Sequence, residues 1–159
     1  MIEIYILLLS LVVSILMIFK DKKNIKYYLI INSLGVIGSI FFEYPLIHLG
    51  FWTHLINPQI LGVSYYASLM YIFWITTTYR ISKFLNSKYR KNIYFFYLLI
   101  GTLIVWFIDL ISINLGFYSY NFTSFLRIFG IPIEITIAEA FVITIFFYIT
   151  QKIYNIFIK

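Results

Sequence analysis

The stretch NIYFFYLLIGTLIVWFIDLISI, residues 92–113, decides the fold of this chain. It is almost wholly apolar, and its only charged residue is Asp109. At about 1.5 Å per residue, a helix of this length reaches about 30 Å, which is the thickness of the bilayer hydrocarbon. A run this long and this apolar predicts a transmembrane helix.

Four further apolar runs of similar length predict four more transmembrane helices. They cover residues 2–19, 27–47, 60–79 and 130–151. The composition agrees, because 62% of the residues are hydrophobic and only 11% are charged, against about 45–50% and about 25% in soluble domains. We therefore predict one all-α membrane domain, residues 1–159, with five spans. With no cysteine, a disulfide framework, a thiol nucleophile and a thiolate metal site are excluded.

The basic residues predict the orientation of these spans. Eleven of the twelve Lys and Arg residues lie in the first and third polar breaks or in the C-terminal tail, and only Arg127 lies on the other side. The positive-inside rule then places the N-terminus outside and the C-terminus in the cytoplasm. The net charge of +6 is explained by this asymmetry, so we expect no nucleic-acid partner.

Two segments of the chain match each other, about 27–79 and 92–151, after a first anchor helix. Glu43 corresponds to Asp109, Gly50 to Gly116 and Trp52 to Tyr118, each 66 positions apart. After a two-residue insertion, Gly62 corresponds to Gly130 and Ser64 to Pro132. Since two helices per unit preserve topology, we predict parallel repeats about an axis normal to the membrane, with a site at their interface.

Four of the six acidic residues in the chain are candidates for a functional site within the spans: Glu43, Asp109, Glu134 and Glu139. A carboxylate at a helix centre costs about 2.5–3.5 kcal/mol and is a functional candidate by default. Structural roles remain open for each one. Glu134 suits the first turn of its helix, Glu139 suits a hydrogen bond to another helix, and Glu43 and Asp109 suit contact with headgroups and water.

The four acids share the outer half of the predicted bundle, so a cluster is possible. Five residues of helix turn about 140°, so we expect Glu139 to face away from Glu134. A carboxyl group that holds its proton can donate it, and such chemistry needs neither metal nor cofactor. His48 and His54 are six positions apart, which favours interfacial positions over metal ligation.

The second copy resembles the repeat of the integral-membrane lycopene (carotenoid) cyclases of bacteria, archaea and fungi. That pattern has an Asp, a Gly seven residues later, an aromatic residue, an Asn, and then Pro-x-Glu-Glu at a helix start. The resemblance is clearest over 106–142. The counterparts here are Asp109, Gly116, Tyr118, Asn121, Pro132 and Glu134. Ile135 replaces the second Glu of the motif, and the first copy has Ser64 and Tyr66 where Pro and Glu would fall.

The resemblance implies a redox-neutral isomerase that closes a ring in a linear polyene. Glu134 would protonate the terminal double bond, and Asp109 with Glu43 would stabilise the cation and remove a proton. Trp52, Trp106 and Tyr118 would supply aromatic faces, and Pro132 would line the same substrate site.

Two other functions stay open from the sequence. In the first, the chain is a non-enzymatic membrane subunit or a degenerate family member. In the second, it is a small proton-coupled transporter or a lipid-handling protein. Its expected partners are membrane lipid, a hydrophobic polyene, and either a second copy or a second membrane subunit. Its expected location is a prokaryotic cell membrane.

Overall fold

The computed structural model describes residues 2–121 and 123–157, so Lys159 of the basic tail lies outside the described residues. The chain is mostly helical and has five α-helices in its described part. They are α1 (Ile2–Phe19), α2 (Ile25–His48), α3 (Tyr65–Tyr89), α4 (Ile93–Asn114) and α5 (Ile133–Phe157). A 3₁₀ turn, Lys22–Asn24, joins α1 to α2.

Four of these helices are long and apolar enough to cross a membrane, namely α1, α4, α5 and the segment Lys22–His48 that contains α2. Helix α3 is less apolar because its buried face carries hydroxyl groups, including Thr76, Thr78 and Ser82. Its bounds also differ from the predicted span 60–79. The first residues of that span form a hairpin, and the helix continues through the basic segment to Tyr89.

Helix α3 lies at the centre of the bundle, packed against α1, α2 and α4, while α4 packs closely on α5. The indole N–H of Trp74 donates to the carbonyl of Gly101 on α4 (3.2 Å). The amide of Asn32 on α2 donates to the hydroxyl of Thr76 on α3 (3.0 Å). Buried polar groups therefore join neighbouring helices in the interior, where lipid offers no alternative partner.

The connections after α2 and after α4 have the same backbone. The hydrogen bonds donated by Leu49, Gly50 and Phe51 recur 66 positions later at Leu115, Gly116 and Phe117. Each connection then forms a short hairpin, β2 (Gln59–Ile60) with β3 (Val63–Ser64), and β5 (Arg127–Ile128) with β6 (Ile131–Pro132).

Both hairpin turns require left-handed backbone. Leu61 and Gly62 have φ of 54° and 82°, and Phe129 and Gly130 have φ of 52° and 84°. Two successive positive φ angles are typical of a type I′ turn, in which glycine relieves the strain at the second position. The glycines 62 and 130 that the sequence comparison aligned thus have the same conformation.

The two connections also pair with each other. Strand β1 (Trp52–His54) is antiparallel to β4 (Tyr118–Tyr120), with Thr53 opposite Ser119 at the centre. This ladder lies across one end of the bundle and carries aromatic side chains next to the acidic residues of α2 and α4.

The opposite end of the bundle is held by Asp21, between α1 and α2. Its Oδ2 lies 3.1 Å from Nη1 of Arg80 and 3.2 Å from Nζ of Lys83, both on α3. Partial burial raises the pKa of this carboxyl group, but the hydrogen bonds from Asn24 and Lys83 outweigh burial, and its pKa is lowered overall. The ionised Asp21 therefore fixes the α1–α2 turn to α3.

Candidate functional site

A cavity of about 350 Å³ lies beneath the β1–β4 ladder, within the bundle. Its walls are mainly apolar and aromatic, and four acidic residues line it. Glu3 of α1 is partly exposed, and the other three are Glu43 from α2, Asp109 from α4 and Glu139 from α5. Each of the three residues is at most 8% exposed. No Lys or Arg is among the described residues that line the cavity.

Glu43 is paired with His54, which strand β1 places over the cavity. Oε2 of Glu43 lies 2.6 Å from Nε2 of His54, and both side chains are buried. His54 is therefore not the interfacial residue that its sequence position suggested. A buried carboxyl group with an imidazole can exchange a proton within the pair, without help from solvent.

Asp109 accepts hydrogen bonds from two phenols of strand β4. The hydroxyl of Tyr118 donates to Oδ1, and the hydroxyl of Tyr120 donates to Oδ2 at 2.9 Å. Burial first, and the negative charge of Asp109 second, raise the pKa of both Tyr118 and Tyr120. Both hydroxyl groups therefore keep their protons and act as donors to Asp109.

Glu139 differs from the other two acids in its hydrogen bonding. Its Oε2 is buried and has no hydrogen-bond partner within residues 2–121 and 123–157. Tyr71 on α3 lies beside Glu139 and Glu43, and it occupies the position that matches Glu139, 68 residues earlier. The three acids line one cavity, and no Lys or Arg side chain among the described residues of its wall separates them.

Glu134 lies outside this cavity. It is exposed in the first turn of α5, where its Oε1 accepts a hydrogen bond from the backbone N–H of Phe125 (2.7 Å). The cause is the helix start at Ile133, which leaves Glu134 at the helix end instead of one turn inside. Its described contacts are structural, since they hold the loop before β5.

Of the four residues predicted to contact the substrate, two lie at the cavity and two do not. Trp52 and Tyr118 line the cavity. Trp106 lies instead against Phe129, with ring centroids 6.1 Å apart, and Pro132 is buried in the β5–β6 hairpin. Neither Trp106 nor Pro132 is among the described residues around the cavity.

A second, smaller cavity of about 60 Å³ lies between α2 and α5. It is lined by small residues of α2, including Gly35 and Gly38, and by Val142 and Phe146 of α5. Tyr71, Trp74 and Glu139 line both cavities. These three side chains therefore form the partition between the two cavities.

Sequence reasoning missed several residues around the main cavity, including Glu3, His54, Tyr71, Trp74 and Tyr120. A signal for two of them was present. His54 follows Glu43 by eleven positions, and Tyr120 follows Asp109 by eleven. This equal spacing in the two repeats would have paired Glu43 with His54 and Asp109 with Tyr120. Glu3 had no such signal, because α1 has no matching helix.

The arrangement can deliver and accept protons inside an apolar space. Within the described residues, no group of three or more His, Cys, Asp and Glu side chains has the geometry to hold a metal ion. Comparison of the chain with protein-family models, curated proteins and solved structures finds no match. The resemblance to carotenoid cyclases therefore stays a prediction.

Proposed function

We propose that this protein is a membrane isomerase that closes a ring in a linear polyene by proton transfer, as carotenoid cyclases do. The observation that supports the proposal most is the group of three buried acids, Glu43, Asp109 and Glu139, around one apolar cavity. Its volume is at the low end of the range for small-molecule pockets, about 300–1,000 Å³. One end of a long polyene would occupy it.

The proton donor in this proposal is Glu139, not Glu134. The carboxyl group of Glu139 has an oxygen without a partner in the described structure, so a substrate double bond can approach it. Protonation of the terminal double bond leaves a carbocation, and the π electrons of an internal double bond attack this cation to form the ring bond. The positive charge then lies on a ring carbon.

The remaining acids complete the reaction. Asp109, held by its two tyrosines, stabilises the cation through space, and the faces of Trp52 and Trp74 add cation–π attraction. The Glu43–His54 pair accepts the proton lost from the carbon next to the cation, which restores a double bond. One proton is taken up and one is released, so the reaction is redox-neutral.

The same proposal includes the topology. All five helices cross the membrane, with α3 enclosed by its neighbours, the N-terminus outside and the C-terminus in the cytoplasm. The basic residues support this orientation, and the matching connections after α2 and α4 support parallel two-helix repeats. The cavity then lies in the outer half of the bilayer.

The test is expression in bacteria that accumulate lycopene, followed by pigment analysis. Membranes incubated with unlabelled lycopene in deuterated water should give cyclic products with one deuterium per ring, because each ring begins with one proton from exchangeable acid. Glu134→Gln is the matched control and should leave the product yield unchanged. Unaltered lycopene, with the protein present in the membrane fraction, would refute the proposal for this substrate.

A further inference from the structure

The wall of the main cavity is incomplete between α1 and α4. Helix α1 packs along α3, has few contacts with α2, and has no extensive contact with α4. The cavity fills the space between them, with Ile6 and Leu7 of α1 on one side and Ile108 and Ile111 of α4 on the other. The main cavity is therefore bounded on this side by a gap between two helices.

The rim of this gap faces the bilayer. Leu9 on α1 and Phe107 on α4 both line the cavity, yet they are 66% and 58% exposed. Each lies seven residues from the end of its helix that is nearer the β1–β4 ladder, which is a depth of about 10 Å. At this depth in a membrane, the medium around an exposed apolar side chain is hydrocarbon.

Access from the aqueous side is more restricted. The β1–β4 ladder covers the cavity, and its residues Trp52 and His54 are only 4% and 7% exposed. A water-soluble ligand would have to displace these side chains, whereas a chain in the bilayer meets only the gap between the helices. The cavity walls are also mainly apolar.

We propose that the gap between α1 and α4 is a lateral opening, through which the hydrocarbon chain of a membrane-dissolved molecule enters the cavity. The chain end then lies against Glu139 and Tyr71, at the partition between the two cavities. This inference uses the same cavity as the proposed function and rests on it for the identity of the chain, a linear isoprenoid. In the absence of that ligand, lipid acyl chains occupy the opening.

The test uses tryptophan quenching, because two of the three tryptophans line the cavity and Trp106 lines neither cavity. In a Trp106→Phe background, the remaining emission comes from Trp52 and Trp74, each less than 5% exposed. The protein is reconstituted into phosphatidylcholine vesicles whose acyl chains are dibrominated. If chains enter the cavity, emission falls relative to vesicles of the unbrominated lipid.

Introduced cysteine pairs then allow two helix pairs to be cross-linked, one at a time. Such pairs react alone because the chain has no cysteine of its own. Leu9→Cys with Phe107→Cys, joined by a flexible bis-maleimide, bridges the proposed opening. Phe42→Cys with Val142→Cys, which line the smaller cavity, bridges α2 to α5 as the matched control. Bridge formation is checked by gel mobility, and each pair without reagent reports the effect of the substitutions alone.

The α1–α4 bridge should remove at least half of the bromine quenching, and the α2–α5 bridge should leave it unchanged. Geranylgeraniol should relieve the quenching in the unbridged protein by displacing lipid chains. Quenching that survives the α1–α4 bridge, or that only the α2–α5 bridge abolishes, would overturn the proposal. The readout needs no turnover, so the opening survives if no cyclic product is ever found, and the cyclase proposal survives if quenching is absent.

Discussion

The connection after α2 and the connection after α4 have the same backbone but different side chains at the cavity. In the first, Glu43 is paired with a histidine, and in the second, Asp109 is paired with two tyrosines. At the next matched position, α3 has Tyr71 where α5 has Glu139. Shared geometry therefore fixes where the groups lie. In the proposed reaction, the different side chains divide the roles of proton donor, proton acceptor and cation stabiliser between the two halves.

The largest expected effect comes from the matched pair on α3 and α5. Glu139→Gln should lower polyene conversion by at least about 100-fold, because a positioned general acid contributes about 10²–10⁴-fold. Tyr71→Phe should lower it by less than about 10-fold, since the phenol only orients the acids. Product yield per unit of membrane protein is measured after timed induction. Equal losses in the two variants would remove the distinction between these positions.

The second prediction replaces the histidine that contacts Glu43 with a tyrosine like the one that contacts Asp109. His54→Phe removes one of the two hydrogen-bond partners of the buried Glu43, leaving Tyr71, and should destabilise the protein by about 2 kcal/mol. His54→Tyr restores a donor of the kind that Tyr120 gives Asp109, and should cost only about 1 kcal/mol.

Thermal unfolding in detergent, followed by circular dichroism, compares the His54 variants with the parent protein. If His54→Phe and His54→Tyr unfold at the same temperature, a hydrogen bond from residue 54 to Glu43 does not stabilise the protein.

The third prediction tests the two type I′ turns. Gly130→Ala should cost about 1 kcal/mol, because an alanine in left-handed backbone is strained, and its added Cβ would meet nothing within 4 Å. Gly62→Ala should cost about 2 kcal/mol, because its Cβ would also lie 3.2 Å from Cγ2 of Ile47. The same unfolding assay ranks them, and a larger loss for Gly130→Ala would contradict the close packing of the first turn against α2.

The smallest effect concerns Asp21, at the end of the bundle away from the cavity. Because the folded state lowers its pKa, the ion pairs with Arg80 and Lys83 stabilise the protein above the usual carboxyl pKa of about 3.9, and this stabilisation is lost as pH falls. Asp21→Asn should therefore lower stability by less than about 1 kcal/mol near pH 7, since Lys83 is partly exposed.

The control for the Asp21 prediction is pH. Wild type and Asp21→Asn should unfold alike once the pH is below the lowered pKa that Asp21 has in the folded state, because the carboxyl group is then protonated in both states. A difference that persists there would mean that a contact other than the ion pairs is responsible.

The sequence predicted the helices well because long apolar runs have few alternatives in a membrane. The matching of Gly62 with Gly130, and of Glu43 with Asp109, also located residues that share a conformation or a cavity. These predictions rest on spacing along the chain, which the backbone preserves directly.

The sequence was less informative where rotation about a helix axis decides the outcome. In a helix that is apolar all round, no polar face indicates which acid points inward. Both Glu134 and Glu139 were therefore predicted at the site, with Glu134 as the proton donor, whereas only Glu139 lines the cavity. A shift in the start of α5 was enough to leave Glu134 exposed. Helix α3 was likewise misjudged in its bounds, because a hairpin takes the first residues of the predicted span and the helix continues through the basic segment to Tyr89.

The pairing of β1 with β4 has the symmetry of an interface between two copies of one chain. Each strand pairs with its own counterpart, and Thr53 lies opposite its equivalent, Ser119. A strand that meets a copy of itself in antiparallel register is what a two-fold homodimer interface provides. The chain thus has the geometry of a two-fold dimer within one polypeptide. Because the two halves are different stretches of one sequence, matched positions can carry different side chains, such as His54 and Tyr120.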